Sequence, residues 1–533
     1  MKKLLSTLIV SSALATAIHA AAQDTTPQGT LRIAFADPVS AVDPELNNHA
    51  GNNSVAIQIF DTLTSKNWDN RAKPALAENF RNIDPNTWEF TLRNDVQWHD
   101  GTPFTADDVI HSYQRARTMP GSVASFAGFL RTIDSVTAPD PHTLVIKTNT
   151  PNPNLPLDLT SVYVVSRHAT EGASAADFNS GKATIGTGPY RFVSYTPGER
   201  IELAANPNYR DNDAEAPTWA KVDYRYIPNA PARTAALLSG DVDVIDKVSV
   251  SDLERLNGSN DVNVFAYDGL RVLLLQPSFR EGPNRYITDN AGKPLADNPL
   301  RDQRIREALS LAINREAITE RIMQGAASVA NQWMPKDTFG YNPDIPEIPF
   351  DPERAKQLLA EAGFPEGFRL TIHAPNDRYP LAPETAQAVA QFWTRIGVRT
   401  QVDVVPWAVY SGTANKNEYA LSMIAWGNGT GEAAYALVNI LTTVDSEAGR
   451  GASNWGHYSN AEVDRDLAEA TSAFDEGERE AILRRSAVTV TNDVGVIPLF
   501  HYQNVWAARN GLEVKPMNSD RTAAQMVTRV EER

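Results

Sequence analysis

The chain has 533 residues, which is too long for one hydrophobic core and indicates two or three domains. Its hydrophobic content of 42% and charged content of 21% are ordinary for a globular protein. The 65 acidic residues outnumber the 49 basic ones, giving a net charge of −16 without a basic cluster, so nucleic acids and anionic membrane surfaces are excluded as partners.

The first 22 residues have the pattern of a secretory signal peptide. Lys2 and Lys3 form a positively charged start, and an apolar stretch from Leu4 to Ala17 is too short to span a bilayer. The small residues Ala20 to Ala22 offer a cleavage site before Gln23. A buried N-terminal helix is the alternative. We expect a soluble mature protein, because no later stretch has the roughly eighteen uninterrupted apolar residues of a membrane span.

The chain contains no cysteine. This excludes disulfides, thiol catalysis, cysteine-based metal sites and a lipidated N-terminal cysteine. An exported protein without a lipid anchor needs a closed compartment to remain near the cell. We therefore predict the periplasm of a Gram-negative bacterium as its location.

The early elements alternate between strands and helices. A short apolar run, residues 31–35, predicts a strand that the prolines of the loop at 37–44 end, and a helix carrying Val55, Ile59 and Phe60 follows. In residues 88–92, Trp88, Phe90 and Leu92 share one face, which is the alternation of a half-buried strand.

A turn and a capped helix follow that strand. Asp100 and Gly101 predict the turn, because glycine adopts positive φ without steric cost, and we expect His99 and Asp100 to serve this turn. Thr105 is the predicted N-cap of a helix from Ala106 to about residue 117, with Asp108 in the capping-box position.

Two glycines precede a proline and a tyrosine in Ile185-Gly-Thr-Gly-Pro-Tyr190, which predicts a tight turn into a sheet. A phosphate-binding loop is the alternative, but no Lys-Ser/Thr follows, and the next residues alternate as strands do. A strand at 222–227, a helix ending at Gly240 and a strand at 241–245 then favour an α/β sheet.

Residues 272–276 predict a strand that carries the chain into a second half, and residues 497–500 predict the strand that returns from it. The elements predicted between these two strands are helices at 299–315, 352–362, 385–396, 464–470 and 478–494 and a buried strand at 421–426.

The run from Leu92 to Val109, LRNDVQWHDGTPFTADDV, resembles the signature of the family-five extracellular solute-binding proteins, which are the peptide, opine and nickel receptors of ABC importers. The motifs at 185–190, 235–243 and 299–315 resemble further elements of that family in the same order. The resemblance implies an α/β, two-lobed periplasmic-binding-protein fold (class II, cluster C type) with an extra inserted subdomain in lobe 1. The implied division is residues 1–22 for the signal peptide, 23–65, 186–269 and 495–533 for lobe 1, 66–185 for the inserted subdomain and 270–494 for lobe 2.

The resemblance further implies a binding protein that captures a peptide or peptide-like amine or carboxylate compound and delivers it to an ABC transporter permease. An opine-type or nickel-type receptor of the same fold is the first alternative, and an exported hydrolase is the second. The family also implies a monomer without a cofactor.

Enzyme motifs are missing from the sequence. It has no His-Glu-x-x-His, no histidine pair at ligand spacing and no Gly-x-Ser-x-Gly, so neither a metal centre nor a catalytic residue is predicted. The carboxylate pairs Asp107-Asp108 and Asp241-x-Asp243 are typical of surfaces and helix caps.

Three segments are candidates for the binding cleft, which needs aromatic walls and a few inward polar groups. The first is a glycine-rich loop after a strand, and its candidate residues are Trp426, Gly427, Asn428, Glu432 and Tyr435. In peptide receptors of the family, an aspartate of the corresponding loop pairs with the ligand ammonium. Glu432 stands roughly in its place, although the Asp-Pro of the family pattern is absent. A charge that stabilises a helix N-terminus is the alternative role for Glu432.

The second segment contains Arg378, which follows a strand at 370–373 and is a candidate for gripping a ligand carboxylate with two hydrogen bonds. The third contains Asn454 and Trp455, where the tryptophan is predicted either to stack on the ligand or to pack in the core. Trp333 is a further candidate, and Trp407 and the loop from Asp37 to Asp43 are weaker ones.

Overall fold

The computed structural model describes residues 27–66, 70–210, 216–336, 338–515 and 521–530. The predicted signal peptide, residues 1–22, lies outside the described residues. In the part of the chain that is described, no helix has both the length and the apolar character needed to cross a membrane.

The elements of the first half are, in chain order, β1 (Thr30–Phe35), α1 (Ala50–Ile59), β2 (Thr64–Lys66), β3 (Ala72–Pro74), β4 (Ala77–Asp84), β5 (Thr87–Leu92), α2 (Ala106–Arg117), β6 (Ile133–Asp140), β7 (Thr143–Thr148), α3 (Leu155–Leu159), α4 (Arg167–Thr170), α5 (Ala175–Asn179), β8 (Tyr190–Thr196), β9 (Arg200–Ala205), β10 (Lys221–Tyr226), α6 (Ala230–Ser239), β11 (Val244–Ile245) and α7 (Val250–Asn257).

The second half continues with β12 (Val262–Pro277), β13 (Ile287–Thr288), α8 (Gln303–Leu311), α9 (Arg315–Arg321), β14 (Ala327–Val329), α10 (Pro352–Glu361), β15 (Arg369–Pro375), α11 (Ala382–Arg395), β16 (Arg399–Val405), α12 (Trp407–Ala414), β17 (Leu421–Gly427), α13 (Ala433–Ala436), α14 (Ala461–Ala470), α15 (Glu476–Asn492), β18 (Ile497–Arg509), β19 (Leu512–Val514) and β20 (Val527–Arg529). Short 3-10 helices lie at Ala127–Leu130, Pro299–Arg301 and Ala524–Met526, and a π-helical turn lies at Leu437–Leu441.

One 12-stranded sheet runs through most of the molecule, in the order β13-β15-β17-β12-β18-β11-β1-β10-β9-β8, with β14 beside β18 and β16 beside β15. Its two long central strands, β12 and β18, are antiparallel neighbours. Their pairing is interrupted between Asp268 and Val272. The two strands predicted to carry the chain between its halves are the portions of β12 and β18 that follow and precede this interruption.

Separate hydrophobic cores lie on the two sides of the interruption. One core draws its buried residues from positions 272–502, including the tryptophans 333, 393 and 455. Two smaller clusters, around β1 and β10 and around α7, lie on the other side. The sheet therefore passes through two lobes, which β12 and β18 join. We call the part that holds β1 the first lobe and the part that holds β15 and β17 the second lobe.

A second sheet of four strands, in the order β4-β5-β7-β6, packs with α2 around its own core. Trp88, Phe90 and Leu92 of β5 are all buried in that core, as the alternation predicts. The predicted helix is confirmed from its first residue to its last, and the Asp108 carboxylate accepts a hydrogen bond of 2.9 Å from the backbone N–H of Thr105. Local signals therefore determine this strand-turn-helix unit.

The two sequence motifs of the first half contact each other. The His99 Nε2–H donates to the Gly188 carbonyl at 3.0 Å, and the Gly186 N–H donates to His99 Nδ1 at 3.2 Å. Burial lowers the pKa of His99 to about 4, so the ring is neutral near pH 7, as this pair of contacts requires. His99 therefore joins the two motifs and does not serve its own turn, whereas Asp100 Oδ1 accepts from the Thr102 N–H at 3.0 Å within that turn, as expected.

The glycines of the second motif have a different purpose from the one predicted. Neither Gly186 nor Gly188 has positive φ, so a turn that only glycine can make is the wrong explanation. Instead, the segment passes directly against the last turn of α1. A Cβ on Gly186 would stand 1.8 Å from the Ile59 carbonyl oxygen, and one on Gly188 would stand 2.7 Å from the Gln58 oxygen.

The helix predicted over residues 299–315 is also interrupted. The Asp302 side chain caps α8 by accepting from the Arg304 N–H at 2.9 Å, and the Asn314 side chain caps α9 by accepting from the Ala317 N–H at 2.8 Å. Because an N-cap residue has extended backbone, each cap starts a new helix. The apolar spacing in this region therefore spans two helices. Asn314, the N-cap of α9, was the local signal that the first helix ends before residue 315.

Substitution of Gly186 by alanine tests the close approach between the motif and α1. The new methyl group meets backbone, which cannot turn aside, so we expect Gly186→Ala to lower the free energy of unfolding by about 3 kcal/mol. Gly412→Ala is the matched control, because its Cβ meets nothing within 4 Å inside α12 and should leave stability unchanged or slightly raised. Denaturant titration of both variants measures the difference, and equal midpoints would contradict the packing described.

Candidate ligand-binding site

Several strands of the second lobe end at the edge that faces the junction with the first lobe. β15 ends at Pro375, β16 at Val405 and β17 at Gly427, and β12 enters the second lobe at Arg271, which is paired with Gly427. In α/β proteins, ligands bind in the crevice outside the carboxyl ends of the strands. This edge is therefore the expected place for a ligand.

The opposite rim belongs to the loop that follows β1 in the first lobe. Arg115 of α2 binds both Asp43 and Glu45 of this loop, and all three side chains lie mostly out of solvent. The Ser40 N–H donates to the Asn52 side chain at 3.0 Å. The rim is thus held in place by the inserted helix α2 on one side and by α1 on the other.

Aromatic and basic side chains line the edge of the second lobe. We call this set the strand-end face, and it comprises Arg271, Arg378, Tyr379, Trp407, Trp426, Gly427 and Tyr435. The rings of Trp407 and Tyr379 lie 5.8 Å apart, and those of Trp426 and Tyr435 lie 5.5 Å apart. Four of the predicted site residues, Trp426, Gly427, Tyr435 and Arg378, are therefore brought to one edge.

Two arginines of the strand-end face are exposed. The Arg378 guanidinium lies over the Trp407 ring, 5.2 Å from its centroid, and Arg271 Nη1 donates to the Ala425 carbonyl at 3.4 Å. Burial raises the pKa of Tyr379, and both arginines oppose that shift, which places both cations near one phenol. Neither arginine forms an ion pair with a carboxylate anywhere in the described ranges. The face thus offers two cations without an ion-pair partner among the described residues, and the nearby Asp377 carboxylate accepts a hydrogen bond from the Trp407 N–H at 2.8 Å.

Asn428 begins the loop after β17, and its polar groups are used inside the protein. Its N–H donates to the Leu270 carbonyl at 2.8 Å, and its side-chain amide donates to the Glu432 carbonyl at 2.9 Å. The residue is 1% exposed. Asn428 therefore shapes the 428–432 loop and presents no free group to the strand-end face.

Glu432 is the last residue of this loop, and it is 2% exposed. Arg479 Nε of α15 stands 3.3 Å from Glu432 Oε1, and the Arg479 guanidinium also lies 4.8 Å from the centroid of the Phe339 ring. Burial raises the pKa of Glu432, and Arg479 opposes the shift. The carboxylate predicted to receive a ligand ammonium is thus already paired with a cation of the protein. Glu432 adjoins a cavity of about 80 Å³ between the part of the chain that holds the four-stranded sheet and the second lobe.

A lysine from the other lobe contacts the same loop. Lys66, the last residue of β2, donates from Nζ to the carbonyl oxygens of Gly429 and Thr430, each at 3.2 Å. Burial lowers the pKa of Lys66 to about 7. Close by, Arg71 binds Glu476 and Glu480 of α15. The 428–432 loop is therefore held from both lobes.

The remaining predicted site residues lie in the core of the second lobe. The Asn454 side chain donates to the Thr442 and Tyr458 carbonyls at 2.7 and 2.8 Å. The Trp455 indole donates to the Asn415 side chain at 2.7 Å, and its ring packs 6.1 Å from that of Trp407. Trp333 is 2% exposed and borders a cavity of about 270 Å³ near α8 and the start of β18, at the end of the strands away from the strand-end face.

Sequence reasoning missed Arg271, Lys66, Tyr379 and Arg479. Arg271 was detectable as a lone charge at the start of an apolar strand, and Tyr379 adjoins the predicted Arg378. Lys66 and Arg479 carry no such signal, because their contacts join segments far apart in the chain. Among the described residues, no group of three or more histidine, aspartate or glutamate side chains is placed to hold a metal ion.

The Glu432–Arg479 pair can be tested by removing one partner at a time. Glu432→Leu should lower the free energy of unfolding by about 3 to 5 kcal/mol, because it leaves the buried Arg479 charge unpaired. The double variant Glu432→Leu/Arg479→Met should recover most of that loss, since it leaves no buried charge. Denaturant titration of the single and double variants gives their coupling, and additive losses would contradict the pairing.

Comparisons with known proteins agree with this architecture. The family model "Bacterial extracellular solute-binding proteins, family 5 Middle" matches residues 71–448. Heme-binding protein A of Haemophilus influenzae is 28% identical over 477 residues, covering 84% of this chain and 82% of that protein. The dipeptide-binding protein of Escherichia coli is 27% identical, covering 79% of each.

The solved structure of HbpA2 from Haemophilus parasuis superposes with a TM-score of 0.80 at 24% identity, covering 94% of this chain and all of that one. This likeness confirms the predicted two-lobed α/β fold. The family match spans well over half of the chain and contains the signature stretch at 92–109 from which the resemblance was inferred. The chain therefore belongs to family 5 of the bacterial extracellular solute-binding proteins.

Proposed function

We propose that this protein is the receptor of an ABC importer, that it captures a peptide-like solute bearing a carboxylate, and that it delivers this solute unaltered to the permease. The family supports solute binding, and relatives named as dipeptide-binding and oligopeptide-binding proteins support a peptide-like ligand. The observation that carries the proposal is the pair of exposed arginines, Arg271 and Arg378, beside aromatic rings at the strand ends of the second lobe.

The ligand carboxylate binds at Arg378. A guanidinium matches a carboxylate with two parallel N–H···O bonds, and the Trp407 ring beneath Arg378 holds the side chain in position. Arg271 supplies a second positive charge nearby. Closure of the lobes removes water from around these charges, which strengthens their attraction for the carboxylate.

The rest of the ligand lies along the strand-end face. Trp426 and Tyr435 form one wall, Tyr379 and Trp407 form another, and the backbone at Gly427 allows close approach. The loop from Asp37 to Asp43 closes the site from the first lobe. Five buried residues support the site without touching the ligand; these are Asn428, Glu432, Asn454, Trp455 and Trp333.

Capture works by lobe closure. In this proposal, residues 66–185 are an insertion into the first lobe and residues 270–494 form the second lobe. A ligand that touches both lobes stabilises the closed form in proportion to the contacts it makes only there. The interruption of the β12–β18 pairing between Asp268 and Val272 is the point at which the connection bends.

The proposal includes export of the protein and its partner at the membrane. The signal peptide is cleaved after Ala22, and the mature protein works as a monomer in the periplasm, without a cofactor and without catalysis of its own. Its macromolecular partner is the permease at the inner membrane. An opine-type receptor of the same fold is the second candidate, because two arginines without an ion-pair partner also suit a compound with more than one carboxylate.

The role of Arg378 is tested with a mixture of dipeptides and its C-terminally amidated copy, in which the carboxylate is neutral. Arg378→Ala should weaken binding of the acids at least tenfold, about 1.4 kcal/mol, and should leave binding of the amides unchanged. Arg399→Ala, an exposed arginine at the other end of the second lobe, is the control. Native mass spectrometry measures the retained ligands. Equal losses for acids and amides would contradict the carboxylate contact.

A further inference from the structure

At the 428–432 loop, each group that could receive the amino end of a ligand already has a cation of the protein beside it. An ammonium can bind to a carboxylate or to backbone carbonyls at the end of a strand. Both kinds of group occur near the 428–432 loop: the Glu432 side chain, and the carbonyls of Gly429 and Thr430. Lys66 donates to both carbonyls, and Arg479 Nε stands 3.3 Å from the Glu432 carboxylate as an ion pair without a hydrogen bond.

The two internal cations come from different parts of the structure. Arg479 belongs to α15 of the second lobe, and it is 6% exposed beside Glu432. Lys66 belongs to β2, at the boundary between the first lobe and the inserted subdomain, and it reaches across the junction to the loop. A ligand ammonium placed at this loop would have to displace Lys66 or lie beside its positive charge, and like charges at close range repel.

The opposite arrangement holds at the strand-end face. Arg271 and Arg378 are exposed there, and the structure gives neither of them a carboxylate partner among the described residues. A ligand with a free ammonium and a carboxylate would therefore gain binding free energy at the strand-end face and lose some at the 428–432 loop. A ligand with a carboxylate and a neutral amino end would gain the same free energy at the strand-end face without a loss at the loop.

Building on the proposed function, we infer that the receptor selects peptide-like acids whose amino end carries no charge, such as N-acylated peptides, and that Lys66 determines this selectivity. Lys66 occupies the two carbonyls in place of a ligand ammonium. The amino end of the ligand, which an acyl group makes neutral, packs against the loop without competing for those carbonyl oxygens.

The test uses an equimolar mixture of free dipeptides and the same mixture after N-acetylation, so that side chains and carboxylates are matched. Native mass spectrometry of the full-length mature protein gives the ratio of acetylated to free peptides retained. The wild-type protein should retain the acetylated peptides at least tenfold better. Lys66→Met should reduce that ratio at least tenfold, because two carbonyls become available to an ammonium, whereas Lys66→Arg should preserve it.

Lys147→Met, which removes an exposed lysine on β7, is the control and should leave the ratio unchanged. Because the readout is a ratio within one sample, partial loss of folded protein does not affect it. Preference of the wild-type protein for free peptides, or an unchanged ratio in Lys66→Met, would overturn the inference and leave the proposed function intact. Retention of neither mixture would overturn both.

Discussion

The paired strands β12 and β18 are the constraint on which the rest of the structure depends. Each contributes to the core of both lobes, and the register of their pairing shifts between Asp268 and Val272 and again between Leu273 and Leu274. Because β17 pairs with the second-lobe portion of β12, this connection also sets where β17 ends. The strand-end face is thus oriented toward the first lobe by the same strands that join the lobes.

Charge is distributed unevenly across the junction between the lobes. On the strand-end face, Arg271 and Arg378 are exposed beside aromatic rings. At the 428–432 loop, Arg479 stands beside the Glu432 carboxylate, and Lys66 donates to two backbone carbonyls. The protein as a whole is acidic, with a net charge of −16, so these two exposed cations are a local feature that the overall composition conceals. In the proposed complex, a ligand carboxylate pairs with these two cations.

Contacts at the seam beside the loop add a second connection between the lobes. Lys66 binds the Gly429 and Thr430 carbonyls, Arg71 binds Glu476 and Glu480, and the Trp88 ring lies 6.2 Å from that of Phe474. Surface ion pairs contribute little individually, about 0 to 1 kcal/mol, so this seam can rearrange. The crossing strands remain the covalent connection about which any rotation occurs.

Elements set by local pattern were predictable from the sequence, and contacts between distant segments were not. The alternation in β5, the Thr105 cap of α2 and the left-handed Gly240 at the end of α6 each depend on neighbouring residues, and each was predicted. Gly186 is needed because α1 passes beside it, which only the folded chain reveals. Arg378 was found because it follows a strand, whereas Lys66 and Arg479 reach their partners through folding alone.

Lobe closure on a ligand is tested most directly by the distance between two spin labels, and the chain has no cysteine to interfere with their attachment. Labels on cysteines at the exposed positions Val193 of the first lobe and Val409 of the second report the separation of the lobes, and a Val409 and Val488 pair within the second lobe is the control. Pulsed electron–electron double resonance should show a shorter interlobe distance when the acetylated dipeptide mixture is bound, with the distance of the control pair unchanged. An interlobe distance that stays the same with ligand bound would contradict capture by closure.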